Sequence, residues 1–159
     1  MMKIICFHNP DEENGFLSNW YLSSFVINGV EFSSVEQYMM YQKASCFKDD
    51  TSKKQIMETN DVALIKSLGR SVSNYDDNVW KMMREKIVFD ALLAKFSQNN
   101  DLKKQLMATK DAVLAECAVK DLIWGIGLSM NDPNRFDKTK WRGQNLLGNI
   151  LMKVREKLK

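Results

Sequence analysis

Apolar residues recur at helical period most clearly between residues 80 and 96. Trp80, Met83, Ile87, Val88, Ala91, Leu92 and Phe96 mark one face of a helix, and Asp76 or Asp77 stands where its N-cap belongs. A second such stripe, Leu146, Leu147, Ile150, Leu151, Val154 and Leu158, predicts a helix over Gly143–Leu158. Shorter helices are expected from Thr51 to about Thr59, from an Asn60 or Asp61 cap through Leu68 with Gly69 as its stop, and over Asn99–Met107. Strand patterns are brief. Lys3–Phe7 is one candidate, and Ala112–Ala118 is either a strand or a helix end. Phe25-Val26-Ile27 and Val30-Glu31-Phe32 flank Asn28-Gly29, a pair suited to the type I′ turn of a tight hairpin. No repeat, low-complexity segment or linker separates these elements. The pattern predicts an α+β fold, mostly helical with a few short strands, in a single domain over residues 1–159.

The hairpin delivers the chain into Ser33-Ser34-Val35-Glu36-Gln37-Tyr38-Met39-Met40-Tyr41-Gln42-Lys43-Ala44. Ser33 with Glu36, or Ser34 with Gln37, has the spacing of a capping box, and neither Gly nor Pro interrupts the stretch from Val35 to Ala44. On this helix Glu36, Met39, Met40 and Lys43 fall on one face, with Glu36 and Lys43 roughly 10 Å apart along the axis at 1.5 Å per residue. That gap is long for an ion pair and about right for a sugar held between an acid and an amine. The ordinary account makes Glu36 a capping partner and Lys43 a solvated charge. Spacing alone favours the ordinary account, since charges on helices usually form solvated faces.

Composition changes the picture mainly by exclusion. With 45% apolar and 27% charged residues, the 159-residue chain is an ordinary globular sequence able to build a core without staples. The net charge of +3 permits an anionic ligand but is no basic stripe for nucleic acid. Cys6, Cys46 and Cys117 are scattered and odd in number, which argues against a disulfide framework and for a reducing compartment. With His8 alone and no paired cysteines, a zinc site is not expected. Neither a signal peptide nor a membrane-length apolar run is visible, so a cytoplasmic protein is expected, with no membrane partner.

Several further pieces stand in order along the chain: Phe16-Leu17-Ser18-Asn19-Trp20; Phe32 through Tyr38, on to Gln42-Lys43-Ala44; Gly69-Arg70; Trp80; and Lys95-Phe96. Leu106-Met107-Ala108-Thr109 then precedes Glu116, Trp124-Gly125-Ile126-Gly127 comes next, and Gly143-Gln144-Asn145-Leu146-Leu147-Gly148 runs on to Leu151-Met152 and Arg155. Each piece is weak alone. As an ordered set spanning nearly the whole chain, they resemble the NADAR family, the YbiA-like N-glycosidases.

The resemblance implies hydrolysis of N-glycosidic bonds whose leaving nitrogen is exocyclic to a base. One branch of the family cleaves phosphoribosylamino-pyrimidine intermediates of riboflavin biosynthesis; another removes ADP-ribose from guanine bases of nucleic acid. No cofactor is implied. In such glycosylamines the nitrogen lone pair can expel the ring oxygen, opening the sugar to an imine that a lysine can take over by transimination. That chemistry assigns Glu36 as acid/base and Lys43 as imine-forming nucleophile, roles that partial burial favours by raising a carboxyl pKa and lowering an ammonium pKa. The alternative is direct hydrolysis with Glu36 and Asp132 as paired carboxylates. In Asn131-Asp132-Pro133-Asn134, Asp132 also fits plain turn chemistry.

For the substrate's phosphate, Lys140-Trp141-Arg142-Gly143-Gln144-Asn145 puts cations just before a helix start, where free N–H groups favour anions. This nominates Arg142 and Asn145, with Arg70 as a second anion contact. Asn19 and Trp20 are expected to meet sugar or base, and Trp80 and Trp124 to flank the base. The ordinary meanings are a turn amide for Asn19, helix-end charge for Arg70 and core packing for Trp80, whereas Gly125 beside Trp124 leaves room for a ligand. Two other classes fit less. A nucleic-acid module would use the positive charge, but Lys and Arg are interleaved with Asp and Glu almost throughout. A helical protein-binding module would use the ten methionines, which also fill cores.

Overall fold

Ser34 opens the helix that the hairpin leads into. Its hydroxyl accepts the Gln37 N–H at 3.1 Å, while the Gln37 side-chain oxygen takes the Ser33 N–H at 2.8 Å. In this computed structural model, which describes residues 2–159, the capped helix α1 spans Val35–Cys46. The chain divides into two compact units, Leu22–Asn99 and the chain up to Tyr21 together with Asn100–Lys159.

The Leu22–Asn99 unit begins with β2 (Phe25–Ile27) and β3 (Val30–Phe32), antiparallel with Phe25 opposite Phe32. Asn28 and Gly29 both take positive φ, 52° and 78°, as the type I′ turn requires. Phe32 packs edge-on against Tyr38 and Tyr41 of α1, with ring centroids 4.9 and 5.1 Å apart. Around α1 lie α2 (Asp50–Met57), α3 (Val62–Arg70) and α4 (Asp77–Gln98). The Gln37 amide ties α1 to the end of α2 by donating to the carbonyls of Ile56 and Thr59. Asp61 and Asp76 cap α3 and α4. The predicted α4 stripe is buried except for Met83, which is exposed.

Gly69 does not stop α3; the helix runs through it to Arg70. The residue is glycine because α1 and α3 touch there. A Cβ at Gly69 would lie 1.9 Å from the Met40 sulfur.

In the other unit β1 (Ile4–Phe7) pairs in parallel with β4 (Val113–Glu116), Cys6 opposite Ala115. The segment expected as strand or helix end is thus a strand. Helix α5 spans Asn100–Ala108, and α6 spans Leu146–Lys157, starting three residues later than its sequence pattern suggests. Helix α6 packs on β4 and buries Leu147, Ile150, Leu151 and Val154, each contributing about 1.5–3 kcal/mol. Arg155 is buried among them and donates to the Thr109 hydroxyl at 2.9 Å. Among the described residues no helix is long and apolar enough to cross a membrane.

Candidate active site

Helix α1 carries the two chemically distinctive residues. Ser34 and Gln37 form the hydrogen-bonded pair of the cap. Glu36 is 5% exposed, a carboxyl group inside the unit, and α1 buries Met39 and Met40 on the same stripe.

Lys43, two turns on, is half-buried. Its Nζ lies 4.6 Å from the centroid of the Tyr75 ring and 5.9 Å from that of Trp80. Burial pushes the Lys43 ammonium below its ordinary value; the Glu36 charge pulls it back up and the Arg70 charge pushes it further down. The aromatic faces favour the charged form, while the loss of water favours the neutral amine. Desolvation wins, which is the condition for a nucleophilic lysine.

Tyr75 is positioned by its neighbours. Its hydroxyl donates to Asp77 at 2.7 Å and its ring meets Phe47 edge-on at 5.3 Å. Burial and the Asp77 hydrogen bond push its phenol up to about 12, so it stays neutral. Nothing in the sequence singled this residue out. The available signal was an aromatic immediately before the Asp76 cap, which the turn holds against α1. Trp80 keeps its core role, at 6% exposed, and also borders the amine. Thus Glu36, Lys43, Arg70 and Trp80 come together within the Leu22–Asn99 unit, Arg70 as the exposed last residue of α3.

The remaining expected residues belong to the other unit. Asn19 is buried, and its Oδ1 accepts no hydrogen bond from the protein. Trp20 is half-buried, with its backbone N–H donating to the Ser18 hydroxyl at 3.1 Å. Trp124 is also half-buried; its backbone N–H donates to the Asp121 carboxylate at 2.9 Å. Gly125 does not clear space for a ligand there. A Cβ would meet Ala118 at 2.8 Å and the Asp121 carbonyl at 3.0 Å, so protein packing demands the glycine.

Asp132 caps a 3-10 turn, its Oδ1 accepting the Asn134 N–H at 2.8 Å, as turn chemistry alone would have it. Asn145, 1% exposed, is a clamp on β4: its Oδ1 accepts the Glu116 N–H at 3.1 Å and its Nδ2 donates to the Leu114 carbonyl at 2.8 Å. The expectation of free N–H groups before α6 is also corrected. The amides of residues 142–147 donate to carbonyls of Leu122, Ile123, Trp124, Gly125 and Ile126. Arg142 keeps an exposed guanidinium, without a backbone cradle beside it. Among the described residues no cluster of three or more His, Cys, Asp or Glu side chains is placed to hold a metal ion.

A buried glutamate and a desolvated lysine on one helix supply a candidate acid/base and a candidate nucleophile within one unit. The NADAR domain family model matches residues 6–159, across both units, and the chain belongs to that family. It is 40% identical to N-glycosidase R617 of Acanthamoeba polyphaga mimivirus, over 97% of this chain and 95% of that protein. It is 34% identical to a riboflavin biosynthesis protein of Vibrio vulnificus, over 99% of this chain but 39% of that longer protein. The NMR structure of the E. coli protein YbiA superposes with a TM-score of 0.81 at 29% identity, covering 99% of this chain and 86% of that one.

Proposed function

We propose that the protein is an N-glycosidase that hydrolyses the C–N bond of phosphoribosylamino-pyrimidine intermediates of riboflavin biosynthesis, with Glu36 as acid/base and Lys43 as nucleophile. The coarse activity is supported by family membership and by relatives named N-glycosidase; the finer substrate is supported by the relative named a riboflavin biosynthesis protein. The observation that carries the mechanism is the depressed, half-buried Lys43 amine on the helix that buries Glu36.

The steps balance without a cofactor. The exocyclic nitrogen lone pair forms a C=N bond as the ring C–O bond breaks, and the ring oxygen takes a proton from Glu36. The neutral Lys43 amine adds to that carbon, and the base departs with its nitrogen as an amine. Water then hydrolyses the lysine imine, releasing the sugar as an aldehyde and regenerating Lys43. Arg70, whose charge acts on the Lys43 amine, is the phosphate contact in this account. Trp80, which borders the amine, offers apolar surface to sugar and base.

Turnover of phosphoribosylamino-pyrimidines and of ADP-ribosylated guanine, run side by side, tests the assignment. Faster release of the pyrimidine supports it. Exclusive release of ADP-ribose transfers the mechanism to nucleic-acid substrates, and binding without turnover of either contradicts an enzyme.

A further inference from the structure

A carboxylate that no step above uses holds the turn that carries Tyr75. Asp49 caps α2, its Oδ1 accepting the Ser52 N–H at 3.1 Å and its Oδ2 the Ser52 hydroxyl at 2.7 Å. The same Oδ2 also accepts the Ser73 N–H at 2.9 Å, from 24 residues further along the chain. Two residues before Asp49, the Phe47 ring meets that of Tyr75, two residues after Ser73, with centroids 5.3 Å apart. Segments 47–49 and 73–75 therefore run past each other in opposite directions, joined by one hydrogen bond and one ring contact. Each turns on a left-handed residue, Lys48 at φ 56° and Asn74 at φ 59°. Residues 73–76 are all exposed, so these two contacts and the Tyr75–Asp77 hydrogen bond place the Tyr75 ring. The Ser73 N–H, followed by the Ser52 hydroxyl and N–H, holds the Asp49 carboxyl down at about 2. Asp49 is thus ionised wherever a lysine titrates, and its hydrogen bonds are of the stronger, charge-assisted kind.

What this clamp delivers is an aromatic face at the Lys43 amine. The Tyr75 ring centroid lies 4.6 Å from the Lys43 Nζ, and Tyr75 is itself 44% exposed, so the ring stands between the amine and bulk water. Its hydroxyl is engaged with Asp77, which leaves the ring to act as a wall. Such a wall has two opposed effects on an amine: the π face favours the ammonium, and the exclusion of water favours the neutral form. At Lys43 the second is the larger. The other groups that face or act on this amine are Glu36 on its own helix, Arg70 at the end of α3 and Trp80 on α4, while Asp76, Asp77 and Arg84 act on Tyr75.

We propose that Tyr75 is the cover that keeps water from the Lys43 amine, and that Asp49 is a positioning residue that holds this cover in place through the Ser73 N–H. On the reading of Lys43 as nucleophile given above, the cover keeps a share of the amine unprotonated and ready to attack. Asp49 touches neither the amine nor the substrate in this arrangement; it acts through the loop and the ring.

Competitive labelling of the full chain with acetic anhydride across the alkaline range, read by peptide mass spectrometry, measures the ionisation of Lys43 without substrate. Tyr75→Ala is expected to move the Lys43 labelling midpoint up by about one pH unit, a tenfold loss of neutral amine below it. Asp49→Ala is expected to move it the same way by less. Asp49→Asn, which still caps α2 and can accept one of the N–H groups, should fall between Asp49→Ala and the wild type. The Asp49→Ala, Tyr75→Ala double variant should shift no further than Tyr75→Ala alone, because Asp49 acts through the ring. Tyr75→Phe keeps the ring and is expected to keep the midpoint. An unmoved or lowered midpoint in folded Tyr75→Ala overturns the proposal, as does a Tyr75→Phe shift as large as that of Tyr75→Ala. An unmoved midpoint in folded Asp49→Ala overturns the positioning role. If the labelling midpoint moves and the ascending limb of the rate–pH profile does not, the cover stands and the nucleophile reading of Lys43 fails instead.

Discussion

At the scale of single residues, the account rests on a carboxyl and an amine whose roles are separable. Glu36→Gln keeps the side chain's shape and removes its titrating proton, so turnover is expected to fall about 10²–10⁴-fold with the fold retained. Near wild-type turnover would remove Glu36 from the mechanism. Arg70 has two separable effects. As a phosphate contact, its loss in Arg70→Ala raises KM. As a cation that holds the Lys43 pKa down, its loss lets that pKa rise, so the ascending limb of the rate–pH profile moves to higher pH. A raised KM with an unmoved profile would mean that Arg70 does not act on the amine. That Glu36 and Lys43 share one face of α1 was legible from helical spacing, whereas their candidate roles came from the family resemblance. Tyr75 was not, since it meets Lys43 through a turn whose path no local pattern encodes. Asn145 illustrates the converse: its motif was visible, but its amide is spent on the β4 backbone.

At the scale of elements, the helices were legible wherever a cap and an apolar stripe agreed, as in α1 and α4. Boundaries failed where a glycine was taken as punctuation. Gly69 lies inside α3 because Met40 occupies the space a side chain would need. Gly69→Ala is therefore expected to destabilise the protein by about 1–3 kcal/mol, through overpacking rather than helix propensity. A double-mutant cycle checks this by chemical denaturation: Met40→Ala should recover part of the Gly69→Ala loss, whereas additivity would show that the two sites do not clash. Near α6 the cations of the Lys140–Asn145 segment read locally as an open anion site. No local pattern could show that the loop folds back on residues 122–126 and uses those amides internally.

At the scale of the molecule, one buried charge site shapes stability. Lys95 on α4 is 0% exposed, and burial pushes its ammonium down to about 7 from an ordinary 10.5. Between those values the unfolded chain holds a proton that the folded chain lacks, so stability from this group is lost as pH falls through the window and rises with pH across it. Urea midpoints measured from pH 7 to 10 should climb for the wild type and climb less for Lys95→Met. Equal slopes would show that Lys95 stays protonated in the fold. The Lys95-Phe96 pair was visible as a family motif, but its full burial was not, because a lysine in an apolar stripe reads locally as a surface charge.

The central claim, a covalent lysine, is tested most directly by adding borohydride during turnover and locating the adduct by peptide mass spectrometry. The account predicts a reduced sugar adduct on Lys43, abolished in Lys43→Arg because guanidinium stays protonated and is a poor nucleophile. An adduct on another lysine, or an active Lys43→Arg enzyme with no adduct, would contradict the imine mechanism and leave direct hydrolysis.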